Sequence, residues 1–308
     1  MSSAAILSVT DLLAQLEGQP PLPDGTKIPF GGVGDRDVYN IAAPFEVDGE
    51  PVIAGRVERR DSELAESVFF VESGGVWLPR PGAPTFPKLQ DPCIATIAGE
   101  LVFGGVEFPV ALPDGEGWRM QFYRGTTPES LEPFLIGPDR MKDIRLVELQ
   151  DGSVGVFSRP QGDRGGRGTI GFTRVRCLDD LTAETIEAAP LLHDQFLPEE
   201  WGGANEAHVL SDGTIGVLGH IARMDAEGKH YYPMVFCLDP ESGQAGPLKM
   251  VATRRCFPPG PAKRPDLEDV IFSGGLRRGD DGSAVLYAGI CDAWAAQITI
   301  PDPFLEYA

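Results

Sequence analysis

Residues 142–160 read KDIRLVELQDGSVGVFSRP. An aliphatic run from Ile144 to Leu149 and a second from Val154 to Phe157 flank Asp151-Gly152-Ser153, the pattern of two antiparallel strands joined by a tight turn. The unit recurs. Its other turns are Asp48-Gly49-Glu50, Ala98-Gly99-Glu100, Asp212-Gly213-Thr214 and Asp281-Gly282-Ser283, each with apolar residues on both sides. Successive turn glycines stand roughly 50 to 70 residues apart, near the length of a four-stranded propeller blade, and the interval grows toward the C-terminus as connections lengthen. Five such units predict an all-β chain, a five-bladed β-propeller. A series of unrelated hairpins in a sandwich ranks second, because sandwich turns recur at shorter spacing.

Outside the repeats, Leu12, Leu13 and Leu16 recur at helical spacing from about Ser8, with Ser8 or Thr10 as cap and Gly18 as stop. Pro20, Pro21 and Pro23 follow as a stiff connector. The expected organisation is a helical extension over residues 1–30 and a propeller over 31–308. With 308 residues, 42% hydrophobic and 23% charged, the chain has an ordinary globular composition. Its formal charge of −20 repels a phosphate backbone and an anionic bilayer, so neither nucleic acid nor membrane is an expected partner. The five cysteines include no C-x-x-C pair, and the four histidines show no metal-binding spacing. No metal and no cofactor are therefore expected. The absence of a signal-like N-terminus and of a long apolar run points to a cytoplasmic protein. Gly31-Gly32-Val33-Gly34 has no preceding strand and reads as a turn rather than a dinucleotide loop.

A hairpin brings the residue leading into its first strand and the residue leaving its second to the same end. The five leading positions are Asn40, Asp91, Asp143, Asn205-Glu206 and Glu268-Asp269; the five trailing ones are Arg56, Glu58 and Arg59, then Glu107, Arg159, His220 and Asp292. All are polar. If the first strands stand nearest a common axis, these residues ring one funnel, and a mixed cluster of acids and bases there is a candidate site.

The order of these motifs resembles glycoside hydrolase family 130, five-bladed propeller phosphorylases and hydrolases of β-mannosides. The resemblance rests on Asn40 to Pro44, Arg56-Val57-Glu58, Gln90-Asp91-Pro92-Cys93, Lys142-Asp143, Arg159-Pro160 with Gly165-Gly166-Arg167-Gly168, His220, and Gly289 to Asp292. It implies that Asp91 is the catalytic acid. It also implies that Arg56, Lys142, Arg159 and His220 form the basic set that holds phosphate in the phosphorylases. Hydrolysis requires an acidic residue in that place to activate water, and Glu206 or Glu268 is the candidate base. Asn40, Arg59, Asp143, Trp201, Asn205 and Asp292 complete the expected substrate contacts. Where the family has Glu-Asp-Pro-Arg this chain has Gln-Asp-Pro-Cys, losing one charge of each sign beside the acid. The expected activity is inverting hydrolysis of short β-mannosides such as mannosyl-N-acetylglucosamine. A phosphate-dependent phosphorylase and a non-catalytic glycan-binding propeller are the alternatives, and the oligomeric state is left open.

Overall fold

A computed structural model describes residues 6–305 of the chain. The chain is mostly β, and its strands follow one another as antiparallel meanders. The first holds Asp37–Tyr39, Phe45–Val47, Glu50–Glu58, Glu66–Ser73 and Val76–Pro79; the second Leu89–Ile97, Glu100–Leu112, Gly115–Gly125 and Glu132–Ile136. The third holds Arg145–Glu148, Val154–Ser158 and Gly171–Val175, and the fourth Trp201–Val209, Ile215–Met224 and Lys229–Leu238. Asp269–Arg278, Ser283–Ile290 and Trp294–Pro301 make the fifth. A short parallel contact, His230 with Asp269 and Tyr231 with Val270, joins the fourth and fifth meanders into one eight-stranded sheet.

The five turns fall where the Gly motifs place them, by two devices. Asp48-Gly49 and Ala98-Gly99 both have positive φ, as a two-residue hairpin requires. In the other three only the glycine is left-handed, and the preceding Asp accepts hydrogen bonds from the backbone N–H and the hydroxyl of Ser153, Thr214 or Ser283. Those are longer turns stapled by a carboxylate rather than two-residue hairpins.

The N-terminal helix is Val9–Glu17, capped by Ser8 in a box with Asp11, and Thr10 lies inside it. Val9 and Leu12 are buried in the largest apolar cluster, together with Phe236, Met250 and Leu286. Glu200 accepts from the Val9 N–H at 2.6 Å and so also holds the start of the helix. Downstream, Thr26–Lys27 pairs with the last strand, at Gln297 and Ala296. Among the described residues, no helix is long and apolar enough to cross a membrane.

The first strands of the second to fifth meanders pack side by side in chain order. Residues 41–43, just before the first hairpin, lie against the fifth: a Cβ on Gly274 would overlap the Ile41 carbonyl oxygen, and one on Gly275 would press on Ala43. This close approach explains Gly-Gly in the middle of a strand. The first strands of the second, fourth and fifth meanders also share an irregularity, between Gln90 and Cys93, Ala204 and Glu206, and Ser273 and Gly275. The residues aligned with Asp91 are therefore Asn205 and Ser273-Gly274. Sequence reading placed Glu206 and Glu268-Asp269 on the same rim; the bulge shifts the register past Glu206, and Glu268-Asp269 stand at the start of their strand, several residues before its bulge.

Candidate active site

Asp91 sits in its bulge at a φ of 50°, a left-handed conformation that aims its side chain inward, as Asn40 (44°), Asp143 (58°) and Asp292 (50°) do for theirs. Asn40 Nδ2 donates to the Asp91 carboxylate at 2.8 Å and Arg56 Nη1 at 3.1 Å. Burial alone raises the Asp91 carboxyl, but the charges of Arg56 and Lys142 with these two hydrogen bonds outweigh it and hold it below the usual carboxylate value. Arg56 is itself buried over the Tyr39 ring, 5.0 Å from its centroid, and donates to Glu58 at 2.9 Å and Glu63 at 3.3 Å. Tyr39 donates to Glu58, and Lys263 binds Glu58 and, at 3.1 Å, Glu63. Asp292 faces the same cluster. Burial raises its carboxyl, Asp91 and Glu58 add to the rise, and Arg56 and Lys263 only partly offset it. Two neighbouring carboxyls thus have their affinities for a proton driven apart.

A second group adjoins the first through Lys142. Asp143 is buried with Arg159 Nε at 3.5 Å and Arg145 Nη2 at 4.0 Å. Burial raises its carboxyl, but Arg159, His220, Lys142 and Arg145 together hold it below the ordinary range. His220, stacked on Tyr231, lies with Nδ1 2.8 Å from Asn205 Oδ1. Burial lowers its pKa to about 3, with Arg159, Lys142 and Arg145 acting in the same direction against Asp143. Burial thus favours the neutral ring, and with Nδ1–H directed at Asn205 Oδ1 the Nε2 is placed to accept a hydrogen bond.

Three donors in this group lack acceptors. Arg159 gives Nε to Gly202 O at 2.7 Å, but its Nη1 is buried without a partner, as is Asn205 Nδ2. The half-buried Lys142 makes no hydrogen bond or ion pair among the described residues. Gly203 supplies the floor: a Cβ there would come within 2.9–3.2 Å of the His220 ring, Arg159 Cδ and Asp143 Cβ. Trp201 donates to Tyr231 Oη at 2.9 Å, and Arg167 of the Gly-rich loop stacks on its ring at 4.3 Å. Trp201 is thereby placed beside this group.

Three expected residues lie elsewhere. Glu206 accepts from the Leu276 N–H at 2.6 Å and pairs with His208 at 2.8 Å. It lines a cavity of about 290 Å³ between the first strands, with Ile94, Val147 and Glu148. Glu268 is exposed and lines a different cavity, with His230 and Arg254. Arg59 is a surface residue paired with Asp35 and Asp61, both at 3.2 Å. Neither glutamate contacts Asp91, because one follows the bulge by a residue and the other precedes the strand. Conversely, Tyr39, Glu63, Arg145, Lys263 and Ser273 belong to the cluster and were not expected. Ser273, next to the bulge at Gly274, donates to Gly219 O at 2.7 Å and lies 3.3 Å from Asn205 Oδ1.

The family described as "Protein of unknown function (DUF1861)" matches residues 14–306. The chain belongs to that family. No curated protein matches it. Among solved structures it is similar to MPT-4, a mannose phosphorylase from Leishmania mexicana in complex with phosphate ion, at 37% identity over 97% of this chain and 94% of that one, with a TM-score of 0.90. It is also similar to MPT-1, a GDP-Man-dependent mannosyltransferase from Leishmania mexicana, at 31% identity over 98% and 96% of the two chains, with a TM-score of 0.88. The β-1,2-mannobiose phosphorylase of Listeria innocua shares the fold at 13% identity, over 95% of each chain, with a TM-score of 0.63. A structure of the GH130 family of mannoside phosphorylases and glycoside hydrolases likewise shares the fold, at 14% identity over 91% of this chain and 95% of that one, with a TM-score of 0.55, in keeping with the resemblance of the motifs.

Proposed function

We propose that the chain is a phosphate-dependent phosphorylase of β-mannosides, built as a five-bladed propeller in which each meander is one blade. The observation that carries this is a pair of buried donors without partners, Arg159 Nη1 and Asn205 Nδ2, in the group of residues around His220 where the Lys142 charge also acts. Buried donors without acceptors are rare, and an oxyanion with several lone pairs would satisfy both while drawing on the half-buried Lys142 ammonium. The phosphate bound to MPT-4 supports the same reading. Hydrolysis, the first expectation, loses support because the two glutamates expected as its base lie elsewhere, and the carboxylate in this group, Asp143, is paired with Arg159 and Arg145.

In this reading a mannosyl unit lies against Asp91, Asn40, Arg56 and Asp292. A phosphate oxygen forms a bond to the anomeric carbon from the Lys142–Arg159 side as the glycosidic C–O bond breaks with its electron pair. The departing oxygen takes a proton from the Asp91–Asp292 pair, of which Asp292 has its affinity for a proton raised and Asp91 lowered. Inversion turns a β-mannoside into α-mannose 1-phosphate and a free reducing sugar. Because the two carboxyls act on each other's titration, the acid is the pair rather than either residue alone.

The test is incubation with mannosyl-N-acetylglucosamine and β-linked mannobioses, with and without phosphate. Mannose 1-phosphate formed only with phosphate is expected. Free mannose without phosphate would restore hydrolysis, transfer from GDP-mannose would favour the activity of MPT-1, and no product across the panel would leave a binding protein. Lys142→Met is expected to raise the KM for phosphate about 10- to 100-fold, the usual cost of a charged hydrogen bond, with little change in the KM for the sugar. Equal loss on both substrates would remove Lys142 from the phosphate pocket.

A further inference from the structure

Residues 251–268, which connect the fourth meander to the fifth, contain no strand. They arch across to the first meander, and Lys263 is the point of contact. Its backbone N–H donates to Cys291 O at 2.9 Å, next to Asp292. Its side chain, 3% exposed, reaches Glu58, Glu63 at 3.1 Å and Tyr39 Oη at 3.5 Å. Arg264 adds a bond to Glu63 at 3.0 Å. Glu58 and Glu63 are also the two acids that share Arg56 Nη2.

The charges decide what Lys263 does. Glu58, Glu63, Asp91 and Asp292 converge on Arg56 and Lys263, with Lys142 beyond Asp91 and Arg264 at the rim. One guanidinium cannot serve every acid from this side. We propose that Lys263 is a positioning residue: by compensating Glu58 and Glu63 it leaves Arg56 Nη1 to Asp91, and through Cys291 it fixes Asp292 beside that pair. Without the ammonium, Glu58, which has no solvent exposure on its side chain, draws the guanidinium toward itself and away from Asp91. This inference rests on the proposed role of the Asp91–Asp292 pair. Nothing in the repeat motifs points to Lys263, since it lies in an irregular connection.

The groups facing Asp292 are Arg56, Asp91, Lys263 and Glu58, with Arg264 and Tyr39 behind them. Lys263→Met removes one of its cations, and Lys263→Arg keeps the charge. The expected result is a 10- to 50-fold lower kcat in Lys263→Met with an unchanged KM for phosphate, and a recovery of at least fivefold in Lys263→Arg. A titration of the unliganded protein by carboxyl 13C resonance, with Asp292 assigned through Asp292→Asn, reads the same effect without turnover. Its midpoint is expected to rise in Lys263→Met and to stay near the wild-type value in Lys263→Arg. Glu63→Gln, altering a half-exposed side chain, is expected to lower the midpoint, and it decides the matter should Lys263→Met not fold. An Asp292 midpoint indifferent to these changes, or an arginine no better than methionine, would overturn the proposal. If the wild type cleaves no mannoside but the midpoints move as stated, the functional reading fails and the positioning role stands.

Discussion

Asp91→Asn is expected to lower kcat for mannoside phosphorolysis by about a thousandfold or more, the upper part of the range for losing a positioned acid–base group. The amide keeps the shape, but it cannot share a proton with Asp292, and it presents no charge to the anomeric carbon as positive charge develops there. The fold is expected to survive. Arg56 keeps its bonds to Glu58 and Glu63. A melting temperature within a few degrees of wild type, together with lost turnover, checks both halves. Retained turnover would take Asp91 out of the chemistry. The partner gives a pH-dependent counterpart. The Asp292 carboxyl is raised in the folded chain, so its contribution to stability is complete below the unfolded value of about 4 and is lost as pH rises through the folded value. Asp292→Asn has no such loss. Relative to Asp292→Asn, the wild type is expected to weaken as pH rises from about 4, and urea midpoints measured across pH will show a constant difference if Asp292 is ordinary.

Gly274→Ala is expected to destabilise the chain by about 3 kcal/mol, at the upper end for an added methyl in a packed interior, because the obstacle is a backbone carbonyl and not a side-chain tip. That corresponds to a fall of about 5–10 °C in melting temperature for a chain of this size. Gly274 lies in the fifth meander and Ile41 precedes the first hairpin, so this one methyl probes whether the ends of the chain meet. Thermal melts of Gly274→Ala beside Gly243→Ala decide it. Gly243 is also a glycine, but it lies in an open turn with no atom within 4 Å of a Cβ, although its φ of 70° adds a local strain. An unchanged Gly274→Ala melt would mean the first and fifth meanders are not in contact.

Much of this was legible because it is local. A turn glycine between two apolar runs reports its own hairpin, and repetition of that signal orders the meanders. Asn40, Asp91, Asp143, Asn205, His220 and Asp292 were legible for the same reason, since each stands at a repeated place relative to its turn. Glu206 was misplaced because a one-residue bulge leaves no mark in the pattern, yet it reverses the face on which the next side chain emerges, and Glu268 because it stands in the connection before its strand. Glu63 and Lys263 were invisible for a different reason. They come from irregular connections, and the 205 positions that separate Lys263 from Glu58 carry no periodicity that would bring them together.

The left-handed backbone at Asn40, Asp91, Asp143 and Asp292 carries a consequence for anyone who selects variants of this chain for heat resistance. Glycine is the residue most at ease in that conformation, so such a screen favours Asp→Gly and Asn→Gly at just these four places. The survivors would be sturdier and empty-handed, keeping the scaffold while discarding the polar groups on which the proposed activity depends.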